Sequence, residues 1–498
     1  MSRSNFRTIF VVSISLATTA FVLAVVPLVA SADEPTGLTA AAAMEEMLVN
    51  AIAQAEKSVV AIARVNLSEG ADARMDARQD LFGQFRMNPT PRPGQPDFIP
   101  NEYSTGVVVD GSGLILTAYH TLRDGSEYYV TTADRKFQQA RVVAADPRSD
   151  LAVLSIRVPN ASPLTPIRFG DATKLKKGQI VIALGNPYAL ARDGQVSASW
   201  GIVANIARKD GPVPDAEAPT GRKLALHQYG TLIQTDAKLN LGTSGGALVN
   251  LKGEMVGLTV SLSAVLGYEQ AAGFAIPVDQ TFRRALEALK EGREVEYGFL
   301  GVALAPGNNP NEPGVRVSEV LPGTPAHRVG LQMGDLLTHV ADQEIHDSDD
   351  LMLNIGKLPA DGRVQLMVYR ESDGRHFPLQ VDLAKYWVPG KKIVTKLPPA
   401  WRGIRVDYVT ASRDLRLWAL QGRVDLEGSV LITEVEQDSP AWKEGLRPDM
   451  MISHIGNKRV SNPKDFYEAV TDKSGPVPVR LRVPANDRPV RTISPEAG

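Results

Sequence analysis

The stretch LILTAYH, residues 114–120, places a histidine directly after a short apolar strand. Two other stretches set a polar residue beside an apolar run. DLAVL (150–154) opens with Asp150, and GTSGG (242–246) carries Ser244 just before another strand-like run. A serine hydroxyl is a weak nucleophile that needs a neighbouring base, and a buried carboxylate holds a histidine base in the correct tautomer. His120, Asp150 and Ser244 are therefore candidates for a base, its orienting acid and a nucleophile.

The glycines around Ser244 fit this chemistry, because they let the backbone bend so that N–H groups point toward a developing oxyanion. The same letters also satisfy the G-x-S-x-G elbow of α/β-hydrolases. That fold requires a helix after the serine and a histidine further along, whereas here a strand and a Lys252-Gly253 hairpin follow. The order His, Asp, Ser is that of the double-barrel proteases. Asp146 is a rival for the acid, although its position before Pro147 is typical of a turn residue.

Short strand-like runs recur on either side of these motifs, separated by turn signals such as Asp110-Gly111. Turn residues every ~8–12 positions predict an antiparallel sandwich or barrel. Helical patterns are few, a stretch around 44–55 and another over 279–291, so an alternating βαβ sheet is not expected. We therefore predict one mainly β unit over residues 45–285 that is closed by a helix.

The composition excludes several classes of function. The 498 residues carry 54 Lys and Arg against 56 Asp and Glu, so no overall basic field favours nucleic acid or anionic lipid. Without cysteine, the chain has no thiolate nucleophile and no disulfide framework. The seven histidines show no paired metal-binding spacing, so we expect neither a metal nor another cofactor. The length predicts about three domains.

The N-terminal segment predicts export. Arg3 and Arg7 precede an apolar run from Ile9 to about Val29, and the small residues ASA (30–32) follow. This order is that of a secretory signal peptide, which places the mature protein in the periplasm or another extracytoplasmic compartment. The apolar run is also long enough to span a bilayer, so retention as an anchor is the alternative.

The C-terminal half contains an internal repeat. Residues 324–340 align with residues 439–455 at a constant offset, and each copy ends in an alternating strand. In each copy a predicted helix lies between the aligned stretch and the strand. Ser348 is the predicted N-cap of this helix in the first copy, and Ser461 is the predicted N-cap in the second. Two related domains joined by a linker rich in Pro, Gly and Lys are therefore predicted.

With these motifs together, the chain resembles the HtrA/Deg family of envelope serine proteases over roughly residues 45–485. Further strings carry the resemblance: STG (104–106), LGNP (184–187), GIV (201–203), IQTDA (233–237) and GFAIP (273–277). The family implies a mainly β fold, a chymotrypsin-like double β-barrel followed by two α+β PDZ-like domains. The implied order is a signal peptide (1–32), a protease domain (45–285), a first PDZ domain (297–385), a linker (386–400) and a second PDZ-like domain (401–485).

The resemblance implies a serine endopeptidase that cleaves unfolded or misfolded proteins through an acyl-enzyme intermediate in envelope quality control. It makes His120 the base, Asp150 its orienter and Ser244 the nucleophile, with an oxyanion hole formed by the N–H groups of Gly242 and Ser244. An apolar P1 preference is expected, because the segments 238–243 and 258–262 offer no carboxylate to bind Arg or Lys.

Four positions near the site depart from the family pattern, and they concern the shape of the oxyanion loop. The family usually has Asn at the positions of Thr243 and Ala118, and Pro at those of Leu241 and Ala247. These changes are the support for an alternative function, a peptide-binding chaperone or scaffold whose protease domain is weakly active or inert.

PDZ domains take an extended peptide as an added strand and bind its C-terminal carboxylate on backbone N–H groups. By resemblance, the carboxylate-binding loop of the first domain is Phe299, Leu300, Gly301 and Val302. In the second domain Arg405 is expected to replace the loop glycine, which favours a role in packing or assembly. The implied partners are unfolded polypeptides and protein C-termini, and the implied assembly is a homotrimer or a multiple of trimers.

Overall fold

The computed structural model describes residues 37–66, 100, 102–159, 163–186, 194–209, 223–260, 273–305, 314–482 and 489–495. The predicted signal peptide lies outside the described residues. The chain divides after Glu46 into two units, and the features below belong to the unit Met47–Gly498. Helix α1 (Gly37–Ala55) begins before this division. The described part of the chain holds no helix that is both long and apolar enough to cross a bilayer.

Six antiparallel strands after α1 close into a first barrel in the order β5-β4-β1-β2-β3-β6, and β5 pairs with β6 to complete the ring. Their bounds are β1 Val59–Asn66, β2 Glu102–Asp110, β3 Leu114–Ala118, β4 Ser126–Thr131, β5 Phe137–Asp146 and β6 Leu151–Ser155. Branched side chains such as Ile62, Ile115 and Val130 fill the interior, which suits their preference for pleated, buried strands.

A second closed barrel follows in the order β10-β11-β12-β9-β8-β7. Its strands are β7 Ile180–Gly185, β8 Ser197–Arg208, β9 Leu232–Thr235, β10 Ala247–Val249, β11 Met255–Val260 and β12 Gly273–Pro277. One buried cluster contains Leu116 of the first barrel together with Leu184 and Leu258 of the second. The two barrels therefore share a hydrophobic core.

Helix α2 (Gln280–Lys290) ends the double barrel, within one residue of the predicted bounds at each end. It begins where the Asp279 carboxylate accepts a hydrogen bond from the Phe282 amide at 2.8 Å. Phe282, Leu286 and Leu289 are buried in the core that both barrels share. The predicted mainly β unit closed by a helix is confirmed.

Two domains with matching topology complete the chain, which confirms the predicted fold class. Their sheets run β14-β15-β16-β18-β19 and β22-β23-β24-β26-β27, with β17 beside β16 and β25 beside β24. The first C-terminal domain comprises β13 Gly298–Phe299, β14 Val302–Leu304, β15 Val315–Val320, α3 Pro325–Arg328, β16 Leu336–Val340, β17 Gln343–Glu344, α4 Ser348–Gly356, β18 Arg363–Arg370, β19 Arg375–Asp382 and β20 Ala384–Lys385. The second C-terminal domain comprises β22 Ile404–Tyr408, α5 Leu415–Leu420, β23 Val430–Val435, α6 Pro440–Lys443, β24 Met451–Ile455, β25 Lys458–Arg459, α7 Pro463–Val470, β26 Val477–Arg482 and β27 Val490–Ile493.

The predicted serine caps of the repeat are wrong by one residue in each copy. Asp347 caps α4 by accepting from the Asp350 amide, and Asn462 caps α7 by accepting from the Asp465 amide, both at 2.8 Å. Ser348 is instead the first residue of its helix. The Asp and Asn side chains satisfy free amides at the helix start, as a serine cap would have done.

The predicted linker contains a short strand, β21 (Ile393–Val394), which pairs antiparallel with β5 of the first barrel. Thr395 adds a hydrogen bond from its hydroxyl to the Val143 carbonyl at 2.8 Å. Lys392 forms an ion pair with Glu294, just after α2. The segment is therefore bound to the barrel along part of its length, although its composition resembles that of a flexible tether.

Candidate active site

His120 and Asp150 are brought together where β3 ends and β6 begins. His120 lies in a short 3-10 turn after β3, and its Nδ1 lies 2.8 Å from Asp150 Oδ2. The other carboxylate oxygen, Oδ1, accepts the His120 amide at 2.9 Å. Asp150 has φ +58°, in the left-handed region, and its carbonyl accepts the Tyr119 amide at 2.9 Å. One buried carboxylate thus orients both the backbone and the ring of the histidine.

The pair is also coupled electrostatically. Burial disfavours the charged imidazolium, but the charge of Asp150 and its hydrogen bond outweigh this and raise the pKa of His120 above its usual value. Burial by itself would raise the pKa of Asp150, but the attraction of His120 outweighs burial and lowers that pKa below its usual value. An ionised Asp150 therefore supports a more basic imidazole, which is what a general base requires.

Asp146, the rival acid, serves a turn and does not contact His120 in the described structure. Its Oδ2 accepts the amide and the hydroxyl of Ser149, each at 2.7 Å, and also the hydroxyl of Tyr297. Burial raises the pKa of Asp146. The turn that Asp146 stabilises leads directly into Asp150. The Asp146 carboxylate therefore helps to shape the segment that carries the candidate acid.

The loop that carries Ser244 lies beside the end of β3, which leads to His120. The amide of Thr105 on β2 donates to the Ser244 carbonyl at 2.9 Å. Gly245 has φ +83°, and a Cβ there would collide with the carbonyl of Thr105 and the hydroxyl of Thr117. Only glycine fits this position, because both the backbone conformation and the space exclude a side chain. The loop therefore packs its glycine against the strand that precedes the histidine.

The peptide bond between Thr243 and Ser244 is held in one orientation. The Thr243 carbonyl accepts the Thr259 hydroxyl at 2.6 Å and the Gly246 amide at 3.0 Å. In a trans peptide the N–H points opposite to the carbonyl, so the Ser244 amide points away from Thr259. Thr243, which replaces the usual Asn, donates its own hydroxyl to the Asn240 carbonyl at 2.7 Å.

His227 is a neighbour of the site that the sequence did not indicate. It is buried in a short 3-10 turn, Leu226–Tyr229, whose Leu226 amide donates to the Arg148 carbonyl at 2.8 Å. The electrostatic interaction with His227 also lowers the pKa of Asp150, by less than the interaction with His120 does. The residue lies more than 75 positions from Asp150 in the numbering, so only the tertiary structure reveals this proximity.

In the first C-terminal domain the predicted peptide-binding loop turns its carbonyls inward. The Gly301 carbonyl accepts the Leu321 amide at 3.0 Å, and the Leu300 carbonyl accepts the Ala326 amide at 2.9 Å. Gly301 has φ +93° and packs against Thr324, where a Cβ would not fit. Leu300 is buried in the domain core, Phe299 ends β13 and Val302 begins β14.

The expected alignment of the second loop is wrong by two residues, because Gly403 and not Arg405 takes the place of Gly301. The Gly403 carbonyl accepts the Glu436 amide at 2.8 Å, and Gly403 packs against Ser439, the counterpart of Thr324 in the repeat. The second loop therefore retains its glycine. In this loop Trp401 and Ile404 exchange two backbone hydrogen bonds of 2.9 Å.

Arg405 is used in ion pairs at the edge of the second loop. It contacts Glu434 at 2.8 Å and Glu436 at 3.3 Å, and its Nε donates to the Pro398 carbonyl at 3.0 Å. Among the described residues, no cluster of three or more His, Asp or Glu side chains is arranged to hold a metal ion.

Comparison with known families fits this geometry. The trypsin-like peptidase domain family matches residues 104–258, and the PDZ domain family matches residues 298–381. A probable periplasmic serine endoprotease, DegP-like, of Pseudomonas putida (strain W619) is 32% identical over 395 residues, covering 76% of each chain. The DegP-like protein of Chlamydia muridarum is 28% identical, covering 79% of this chain and 74% of that one. A solved HtrA-type protease, AlgW with tripeptide, is 24% identical with a TM-score of 0.49, covering 70% of this chain and 98% of the other.

The double barrel is that of a trypsin-like serine endopeptidase that carries PDZ domains. The chain belongs to the HtrA/Deg family, as its likeness to the DegP-like serine endoproteases shows. These relatives are named periplasmic, which supports an extracytoplasmic location. The family prediction made from the motifs is confirmed.

With His120 as the general base, its raised pKa predicts the acidic limit of activity. A general base must be neutral, so kcat/KM is expected to fall below a midpoint that lies above pH 6.5, the usual value for histidine. In Asp150→Asn the attraction is lost while burial remains, so the midpoint should shift below pH 6.5. The rate at its plateau should fall by about 10⁴-fold.

The measurement is the pH dependence of peptide hydrolysis under kcat/KM conditions. Asp146→Asn is the matched control, because it removes a nearby buried carboxylate that does not contact His120. A shifted midpoint in this control and an unshifted one in Asp150→Asn would assign the acid to Asp146 instead.

Proposed function

We propose that this endopeptidase works by acyl-enzyme chemistry with Ser244 as nucleophile, His120 as general base and Asp150 as orienting acid. The observation that carries this proposal is the buried Asp150 carboxylate 2.8 Å from His120 Nδ1. With Nδ1 directed at the acid, Nε2 is the ring nitrogen left to take the proton of the serine hydroxyl. The serine attacks the scissile carbonyl, and His120 then gives the proton to the leaving amine as the C–N bond breaks and the acyl-enzyme forms. Water later hydrolyses the acyl-enzyme with the same histidine as base.

We place the oxyanion hole at the backbone N–H groups of Gly242 and Ser244. The fixed Thr243 carbonyl supports this, because it sets the direction of the Ser244 amide. The Gly242 carbonyl accepts the Thr105 hydroxyl at 2.7 Å, which fixes the peptide bond between Gly242 and Thr243, the segment that joins the two proposed donors. Donors that are already oriented stabilise the charge of the tetrahedral intermediate without reorganisation.

The proposed substrates are unfolded or misfolded polypeptides cut after apolar residues. The described residues of the expected S1 region, 238–243 and 258–260, include no Asp or Glu. Among them Lys238 is exposed, Leu239 is partly buried and Leu258 is buried. The remainder, residues 261 and 262, lies outside the described residues. A pocket without an acid cannot pair with the side chain of Arg or Lys at P1.

Digestion of an unfolded protein tests the nucleophile and the specificity together. The chain from Asp33 onward is expected to cleave reduced casein, and Ser244→Ala should lose activity by several orders of magnitude because the acyl acceptor is gone. Ser149→Ala is the control for a buried serine in the neighbouring turn. Mass spectrometry of the fragment ends should show Val or Ala at P1.

Two results would contradict this proposal. Equal inertness of wild type and Ser244→Ala, with C-terminal peptides present, would favour the chaperone or scaffold function. Fragments that end mainly in Arg would refute the apolar specificity while leaving the nucleophile intact.

We also propose that the first C-terminal domain binds the C-terminal carboxylate of a peptide on the loop Phe299–Val302. Its support is the inward direction of the Leu300 and Gly301 carbonyls, which leaves the opposite side of the loop to N–H groups. Gly301→Ala should weaken binding of a labelled peptide by roughly tenfold or more, because its backbone conformation and Thr324 exclude a side chain.

Fluorescence polarisation with a free carboxyl-terminal peptide and its amide measures this effect. Gly374→Ala is the matched control, since Gly374 also has positive φ but has open space around it. Similar affinities for the acid and the amide would exclude carboxylate recognition by this loop.

Assembly into trimers is proposed from family membership. Light scattering of the mature chain is expected to give about three chain masses or a multiple of that value. A monodisperse monomer at micromolar concentration would contradict this proposal.

A further inference from the structure

Thr105 connects the first barrel to both residues that carry the proposed oxyanion donors. It lies on β2 and is fully buried. Its amide donates to the Ser244 carbonyl at 2.9 Å, and its hydroxyl donates to the Gly242 carbonyl at 2.7 Å. Gly242 and Ser244 are separated by one residue, so Thr105 alone binds the loop on both sides of Thr243.

Strand β2 turns one of its edges toward this loop at Thr105. The pairing of β2 with β3 begins at Val107, opposite Leu116. Before that point the Thr105 amide binds Ser244, and the Thr105 carbonyl accepts the Thr117 hydroxyl at 2.8 Å. The other edge of β2 pairs with β1 through this region. Thr105 is therefore held by a sheet while it binds the loop.

The direction of the Thr105 hydroxyl is set by the second barrel. Its oxygen accepts the Asn186 amide at 2.9 Å, just after β7, and its hydrogen is donated to the Gly242 carbonyl. A hydroxyl that accepts one hydrogen bond is polarised and donates its own more strongly. Threonine is also β-branched, which restricts the rotation of its side chain. The bond to Gly242 is therefore oriented from both barrels.

The bonds from Thr105 act on the peptide planes between the two proposed donors and after them. The Gly242 carbonyl is bound by the Thr105 hydroxyl, and the N–H of the same peptide, on Thr243, donates to a carbonyl within the loop at 3.1 Å. The Ser244 carbonyl is bound by the Thr105 amide. Gly242 has φ +93°, and a glycine leaves this conformation at little cost. The shape of the loop therefore depends on bonds from outside it.

We infer, on the basis of the oxyanion hole proposed above, that the Thr105 hydroxyl is a positioning group for this hole. It holds the peptide between Gly242 and Thr243, and so keeps the two donor residues in the relative orientation that one oxyanion requires. Because Thr105 is fully buried, it acts on the substrate only through the loop. Oriented donors stabilise the transition state more than the bound substrate, so loss of the hydroxyl should lower kcat and leave KM nearly unchanged.

Steady-state peptide hydrolysis by the full mature chain tests this role. Thr105→Val keeps the shape of the side chain without its hydroxyl, and kcat should fall roughly tenfold or more while KM stays within about twofold. Thr105→Ser keeps the hydroxyl and should restore most of the rate. Thr132→Val is the matched control, because Thr132 is a buried threonine beside β4 whose hydroxyl donates to the Lys136 carbonyl at 3.2 Å. This control should act as wild type does.

A peptide aldehyde gives a readout that a general loss of stability would not change. The Ser244 oxygen adds to the aldehyde carbon, its proton passes to His120, and the aldehyde oxygen becomes an oxyanion in the hole. Thr105→Val should weaken this inhibitor by about the factor that it removes from kcat. The acidic midpoint of kcat/KM should stay at the wild-type value. An unchanged kcat, a rise in KM alone, an unchanged inhibitor affinity, or no rescue by Thr105→Ser would overturn the role of the hydroxyl.

Hydrogen exchange of the segment 241–247, followed by mass spectrometry, needs no catalysis. The amides of residues 243, 245 and 246 donate to backbone carbonyls, so their exchange reports opening of the loop. Exchange should be faster in Thr105→Val and unchanged in Thr132→Val, and equal exchange in wild type and Thr105→Val would overturn the inference. Faster exchange together with an inert wild type would count against the proposed function alone. If Thr105→Val does not fold, Thr105→Ala removes the same hydroxyl with less crowding and should give the same results.

Discussion

The buried carboxylate of Asp150 is the constraint on which the position of His120 depends. A charge removed from water must be satisfied by hydrogen bonds, and both oxygens of Asp150 meet the backbone and ring of His120. Its carbonyl accepts the Tyr119 amide as well. These bonds join the end of β3 to the start of β6, at the pair Ala118 and Leu151. The pairing of β3 with β6 and the orientation of the His120 ring therefore depend on the same residue.

The linker contacts both segments that this carboxylate joins. Strand β21 pairs with Ala144 and Ala145, just before the turn that leads to Asp150. On the other side, the Tyr119 hydroxyl donates to the Lys391 carbonyl at 3.0 Å. In the same region the buried Arg148 guanidinium lies 4.7 Å from the ring centre of Tyr386, within the range of a cation–π interaction. Residues outside the double barrel thus form part of the surroundings of the His–Asp pair.

The features that could be predicted from the sequence are those that local residue patterns determine. Alternating strands, the helix after Asp279 and the repeat were visible because periodicity and turn residues act over a few positions. The second loop was misaligned because the string G-I-R-V resembles F-L-G-V, and an insertion containing α5 hides the correct register. Packing against Ser439 identifies the loop glycine, and that contact joins residues distant in sequence. His227 and the bond from Tyr297 to Asp146 were unpredictable for the same reason.

The loop that carries Ser244 has a backbone geometry that its own sequence leaves open and that the two barrels fix together. Thr105 of the first barrel donates its amide to Ser244 and its hydroxyl to Gly242, while Thr259 of the second barrel donates to Thr243. The Thr105 hydroxyl also accepts the Asn186 amide at 2.9 Å, which connects it to the end of β7. Because these donors come from strands, the loop is held by rigid elements on both sides. The replacement of the usual Asn by Thr243 therefore changes a side chain whose backbone is fixed from outside the loop.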